Sequence, residues 1–215
     1  MTEPEFLSAA RTFYDTVAAD YADRFRDEVA GKPLDRAMLQ AFAELVRADG
    51  GGPVVELGCG PGRMTAYLHG LGLEISGLDL SPGMVAVARR EHPELSFEVG
   101  SLLDLPQRDG ELAGAVAWYS IIHTPPEHLP EVFAGFHRVL APGGHLLLAF
   151  QAGDRPLRVE RPFGHPVALD FRRQQPDRVA DLAAGAGLEV TTRLVREAEP
   201  DETAPQAFLL ARKPG

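Results

Sequence analysis

Three groups of residues have the types and spacing to do chemistry. The first is Val54-Val55-Glu56-Leu57-Gly58-Cys59-Gly60-Pro61-Gly62-Arg63, where an apolar run carrying one carboxylate opens onto glycines at alternate positions. Glycine tolerates positive φ and, without a Cβ, lets backbone amides approach a ligand; a purely structural turn does not call for three of them. The second is Leu78-Asp79-Leu80-Ser81, which sets a carboxylate where it can accept hydrogen bonds from both hydroxyls of a ribose. The competing role for Asp79 is to cap the helix that Pro82 starts, a job for which Ser81 is already suited. The third is His123, closing the run Trp118-Tyr119-Ser120-Ile121-Ile122-His123. Its imidazole serves equally as a general base or as a loop histidine bonded to backbone. His165, in Pro162-Phe163-Gly164-His165-Pro166, is a second candidate base.

The spacing also says something about the ligand. Gly58-x-Gly60-x-Gly62 is not the G-x-G-x-x-G of a dinucleotide loop, and a carboxylate at Glu56 would repel a pyrophosphate while suiting an ammonium group. An oxidoreductase using a nicotinamide dinucleotide remains the alternative.

These groups need a scaffold, and the hydrophobic periodicity describes one. Phe6, Ala9, Ala10, Phe13, Val17, Tyr21 and Phe25 form a helical stripe, and a further helix runs from Leu34 to Ala48, so residues 1–50 read as a helical cap. Strands are predicted at 53–57, 74–78, 95–99, 112–119 and 145–150, with helices at 64–71, 82–90, 126–140 and 176–185 between or after them. That alternation implies parallel strands with right-handed crossovers. Segments 188–196 and 206–212 are joined by so short a connection that they must be antiparallel. Residues 151–175 read as irregular, a segment covering the substrate. The whole, 1–215, reads as a single α/β domain.

Composition excludes several classes. A net charge of -10 disfavours a nucleic-acid surface. The only lysines are Lys32 and Lys213, neither beside a motif, which leaves little for lysine-based covalent chemistry. The single cysteine, Cys59, excludes an internal disulfide and a multi-cysteine metal site and fits a reducing cytoplasm. His92, His128, His137 and His145 are scattered without ligand spacing, so no metal is expected. The opening MTEPEFLSAARTFYD lacks the apolar run of a secretory signal, and no stretch is apolar enough for a membrane span.

Taken together the motifs resemble the class I S-adenosylmethionine-dependent methyltransferases over nearly the whole chain. VVELGCGPGR is similar to that family's first motif, GLDLSPGMV to its acidic loop, GSLLDLP to its adenine-side motif and RVLAPGGHLLLAF to its late strand entry. The resemblance implies a Rossmann-like three-layer sandwich with a mostly parallel seven-stranded sheet, an antiparallel last strand and N-terminal helices. It implies S-adenosylmethionine as cofactor and methyl transfer to a small molecule; a protein or RNA acceptor is the alternative. By the same resemblance Glu56 and the Gly58, Gly60 and Gly62 backbone face the methionine part, with Cys59 and Arg63 in the same loop, the thiol itself as packing. Asp79 holds the ribose, Leu80 and Met84 flank the adenine, and Ser101 and Leu102 meet its amino edge, where many members carry an acid near the Ser101 position. Tyr119 and Ser120 border the cofactor, and Tyr14 and Tyr21, two turns apart on the first helix, close over it or pack in the core. Arg155, Arg158, Arg161, Arg172 and Arg173 make the covering segment locally basic, which points to an acceptor bearing carboxylate or phosphate unless Glu160 and Asp170 neutralise them.

Overall fold

The computed structural model describes residues 3–215; Met1 and Thr2 of the expected cap lie outside the described residues. Helix α1, Glu5–Phe25, and helix α2, Pro33–Ala48, precede a seven-stranded sheet. Its strands are β1, Pro53–Leu57; β2, Glu74–Asp79; β3, Phe97–Val99; β4, Leu112–Trp118; β5, Leu140–Gln151; β8, Glu189–Arg196; and β9, Gln206–Arg212. They lie in the order β3-β2-β1-β4-β5-β9-β8. The pairs β1/β2, β1/β4, β2/β3 and β4/β5 are parallel, and β9 runs antiparallel to both β5 and β8. Only the last strand is therefore reversed, as the sequence pattern implies.

Consecutive residues of the central strands point to opposite faces, and both faces are covered, so those strands are mostly apolar, with Glu56 a buried exception. Val55, Ala115, Leu146 and Leu148 pack against α5, Leu129–Val139, and α6, Pro176–Gly185. Their neighbours Val54, Val116, Leu147 and Ala149 pack against α2 and α3, Arg63–Gly70. Helix α4, Pro82–Glu91, has Pro82 in its first turn, and its N-cap Ser81 accepts the Met84 N–H at 3.0 Å. It packs between β2/β3 and α1, which lies against it through Ala18 and Ala22.

Two sequence expectations are corrected. Pro142-Gly143-Gly144 does not precede β5 but lies inside it, as an irregularity in the β4/β5 register. A Cβ on Gly144 would come within 2.9 Å of the Ala141 carbonyl oxygen and 3.0 Å of that of Leu112, so only glycine fits this bulge. The second correction concerns 151–175, which is not irregular: β6, Leu157–Glu160, pairs antiparallel with β7, Ala168–Phe171. The alternation of Leu157/Val159 with Leu169/Phe171 drives this hairpin; Val159, Leu169 and Phe171 pack on Phe13 and Val17 of α1. On its outer face Arg158 pairs with Asp170 at 3.0 Å. Among the described residues no helix is long and apolar enough to cross a membrane.

Candidate active site

The carboxyl ends of β1, β2 and β4 meet beneath α1, and the loop after β1 is tied down where they meet. The Gly58 and Cys59 N–H groups both donate to the Leu78 carbonyl, at 2.7 and 3.0 Å, locking the glycine loop to the end of β2. Gly58 has φ +80°, and a Cβ there would stand 2.3 Å from that of Ser120, so the loop passes the β4 end at backbone contact. Gly60, φ +53°, has nothing within 4 Å of where its Cβ would be. It leaves an open cradle. Gly62 differs: as the left-handed N-cap of α3 it sits against Phe97 and His92, where a Cβ would be 2.8 and 3.1 Å from ring atoms. Its glycine serves helix-to-sheet packing and does not face the ligand side. Cys59 likewise packs with Val85, Ala88 and Phe97.

Asp79 reaches back to this loop. One carboxylate oxygen accepts the Gly60 N–H at 2.7 Å and the other the Ser81 N–H at 2.8 Å, so each keeps a lone pair for a ligand. Burial pushes its pKa up to about 6, against the pull of those two backbone donors. Glu56, 2% exposed, accepts a 2.5 Å hydrogen bond from Thr65 Oγ1, and burial pushes its pKa up to about 8 despite that bond.

Two connected cavities open on either side of the loop. The first, about 880 Å³, is lined by Gly58, Gly60, Asp79, Leu80, Met84, Ser101 and Leu102, with Tyr119, Ser120 and His123 from the β4 end and Tyr14 and Tyr21 from α1 above. The second, about 1440 Å³, lies beyond Gly58 and Gly60; Glu56, Cys59 and Arg63 line it, and Tyr14, Tyr21 and Tyr119 border both. Ser120 Oγ, in the first cavity, is buried without a partner, as is Arg63 Nε in the second, whose Nη1 bonds the Phe25 carbonyl at 2.7 Å and Glu28 at 3.1 Å. Tyr119 holds φ +55°, a strained value for a non-glycine residue, at the point where the chain leaves β4.

Most of the residues singled out from sequence thus share one place. Gly62 and His165 do not. His165, in the turn of the hairpin, pairs with Asp20 of α1 at 2.9 Å and lines neither cavity. Ser101 Oγ accepts the Leu103 N–H at 3.2 Å, and Asp104, the nearest carboxylate in GSLLDLP, is exposed and lines neither cavity.

Several contacts have no signature in the sequence. Tyr14 Oη and His123 Nε2 are 2.7 Å apart, and His123 Nδ1 faces the Asp170 carbonyl at 3.4 Å. A carbonyl can only accept, so Nδ1 carries the proton and Nε2 accepts from the phenol. Burial lowers the His123 pKa to about 4, which keeps the ring neutral. Asp15 of α1 accepts from Ser81 Oγ at 2.6 Å and from the Gly83 N–H at 2.8 Å, fastening α1 to the start of α4.

Residues 54–144 match the family model described as a methyltransferase domain. The chain carries a methyltransferase domain. That domain contains the glycine loop, Asp79, Ser101 and the Tyr119–His123 run, whereas Tyr14, Tyr21 and the β6/β7 hairpin lie outside the matched part.

Among curated relatives, the trans-aconitate 2-methyltransferase of Methylobacterium nodulans is 39% identical over 155 residues, covering 69% of this chain and 54% of that one. The demethylmenaquinone methyltransferase of Beutenbergia cavernae is 30% identical over 138 residues, covering 63% and 55%. The chain spans about half the length of the curated relatives it matches. The crystal structure of magnesium protoporphyrin IX methyltransferase from Synechocystis PCC 6803 with bound SAM superposes with a TM-score of 0.73 at 16% identity, over 99% of each chain. At that identity the likeness is one of fold, and the fold is that of the class I methyltransferases.

Proposed function

We propose that the protein binds S-adenosylmethionine and transfers its methyl group to a small-molecule acceptor. The observation carrying this reading is the pair of cavities joined at Gly58 and Gly60, with Asp79 on one side and Glu56 on the other. The donor set suits such a molecule. The open cradle at Gly60 and the orphaned Ser120 Oγ and Arg63 Nε want a partner, and the buried Glu56 and half-buried Asp79 keep lone pairs beyond the bonds they accept. A carboxylate beside the loop is at odds with a pyrophosphate and favours an ammonium instead.

In this reading Asp79 accepts the ribose hydroxyls, Leu80 and Met84 enclose the adenine, and Ser101 and Leu102 meet its edge. Glu56 takes the ammonium and Arg63 the carboxylate of the methionine end, while Tyr14, Tyr21 and Tyr119 bound the junction between the cavities. When bound, the cofactor supplies a methyl already activated by its sulfonium. The chain's own task is then mostly alignment, exclusion of water and, for a hydroxyl acceptor, disposal of a proton. His123 is neutral, but its Nε2 lone pair is engaged by Tyr14, so it fixes the phenol at the junction and acts as base only if Tyr14 swings away. A reducing cytoplasm suits the single buried thiol.

Calorimetric titration with S-adenosylmethionine, its demethylated product and NAD tests the reading. Micromolar binding of the first two and none of the third is expected; selective dinucleotide binding would replace a methyltransferase with an oxidoreductase.

A further inference from the structure

The five arginines of the covering segment, which from sequence pointed to an anionic acceptor, line neither cavity. Arg158 is spent on Glu160 and Asp170, and Arg173 bonds Thr203. The second cavity has its own charges, and those at its floor are paired. At its floor Lys32 Nζ lies 2.5 Å from Glu202, while Arg196 bonds Glu202 at 2.5 Å and Asp35 at 3.2 Å. Arg63 is held by Glu28. The floor cluster, with Glu199 at 3.6 Å from Lys32, engages both of its cations with carboxylates, so an anion reaching the floor meets no spare positive charge, while Arg24 stands exposed at the rim. A cation fares no better, because these carboxylates are already paired; Asp201 stands exposed at the rim and Glu56 faces the proposed ammonium.

The rest of the wall is apolar and aromatic: Trp118, Tyr119, Ile122, Leu157 and Phe171. Two buried polar atoms there lack a partner, Arg63 Nε, which faces the proposed methionine end of the cofactor, and the side-chain oxygen of Gln151. Gln151, the last residue of β5, lines this cavity, and its side-chain carbonyl oxygen is buried with no hydrogen-bond partner. A buried acceptor left unpaired is costly, and an incoming N–H or O–H removes the cost.

We infer that this cavity is the acceptor site, that it takes an uncharged molecule with a ring or comparable apolar body, and that Gln151 selects for an N–H or O–H on that body. The inference rests on the reading that the cofactor fills the first cavity and reaches past the Gly60 cradle only as far as Glu56 and Arg63, which leaves the part of the second cavity beside Ile122, Leu157, Phe171 and Gln151 for the acceptor.

The test is a calorimetric titration of protein saturated with S-adenosylhomocysteine, using three naphthalene probes of one shape: 2-naphthol, 2-naphthoate and 2-naphthylmethylammonium. The neutral probe should bind at least about tenfold more tightly than either ion, since each ion must shed water without gaining a partner. Gln151→Leu should weaken 2-naphthol about three- to tenfold and leave 2-methoxynaphthalene, which has no donor, unchanged. An unaltered S-adenosylhomocysteine affinity in Gln151→Leu verifies its fold, with Gln151→Met as the second variant. Tighter binding of either ion, or no binding of 2-naphthol, overturns the uncharged acceptor, and an unchanged naphthol affinity in both variants removes Gln151. Failure of the cofactor reading is visible separately, as absent heat in the S-adenosylhomocysteine titration. The probes are then titrated into the free protein with the same criteria.

Discussion

Asp79 has two duties, since its carboxylate both ties the glycine loop through the Gly60 N–H and faces the first cavity. Asp79→Ala should weaken S-adenosylmethionine by about 1.5 to 3 kcal/mol, the range for hydrogen bonds to a charged group, as read by calorimetry. An unchanged affinity would remove Asp79 from the site. Glu56 is protonated at neutral pH in the free protein, with its pKa near 8, and an ammonium beside it favours the carboxylate. Cofactor binding should therefore release a proton below about pH 8 and tighten as pH rises toward that value. Calorimetry in buffers of different ionisation heat measures this, and the absence of proton release would separate Glu56 from the ammonium. Tyr14→Phe removes the hydroxyl that donates to His123, so the imidazole pKa should rise from about 4 in NMR titration while cofactor affinity changes little. A carboxylate in an apolar strand and alternating glycines advertise their purpose in sequence, because few other roles need them. The Tyr14–His123 bond does not, since its partners are 109 positions apart and nothing in either neighbourhood names the other.

Helix α1 roofs both cavities and the β6/β7 hairpin extends that roof over the second through Leu157 and Phe171, the two joined through Phe13, Leu169 and Phe171 and through the Asp20–His165 pair. The roof is fastened to the sheet layer at Asp15, which meets Ser81 and Gly83, and at Tyr14. Only these few polar ties hold α1 down, and a cofactor bound beneath it adds contacts to its underside. Amide exchange in α1 is accordingly expected to slow on cofactor binding. Asp15→Ala should raise the exchange rate of the free protein and cost about 0.5 to 2 kcal/mol in denaturant unfolding, the scale of a lost helix cap. Exchange in α1 that ignores the cofactor would make the helix a fixed wall. The α1 stripe was legible in sequence through its period. The hairpin was obscured, because two four-residue strands among Arg, Pro and Gly offer too short an alternation to distinguish from loop, and their pairing is stabilised by α1, far away in sequence.

Over the whole molecule, buried titratable groups give stability a worked pH dependence. His123, near 4 when folded against an ordinary 6.5, stays neutral in the native state, so stability is lost as pH falls between about 6.5 and 4. Glu202, although burial works against it, is held near 2 by the Arg196, Glu199 N–H and Lys32 hydrogen bonds, and it loses its contribution as pH falls from about 4.5 to 2. Glu56 and Asp79 act in reverse: raised to about 8 and 6, they cost stability as pH rises from 4.5 to 8 and from 3.8 to 6. Thermal unfolding of the free protein should show a melting temperature that declines on both sides of a weakly acidic optimum, with Glu56→Gln flattening the alkaline limb. A limb unchanged in that variant would assign the decline to other groups. The alternation of strands and helices, the reversal of the last strand, the glycine loop and its two carboxylates were determined by sequence alone, because each is a local pattern set by periodicity, turn chemistry or a single residue type. Only the tertiary structure decided that Gly62 packs instead of facing ligand, that His165 stands outside both cavities, that the arginines of 151–175 are remote from both and that Gln151 is left unpaired within one. These depend on which distant segments share a space, and local physics does not encode that until the chain has folded.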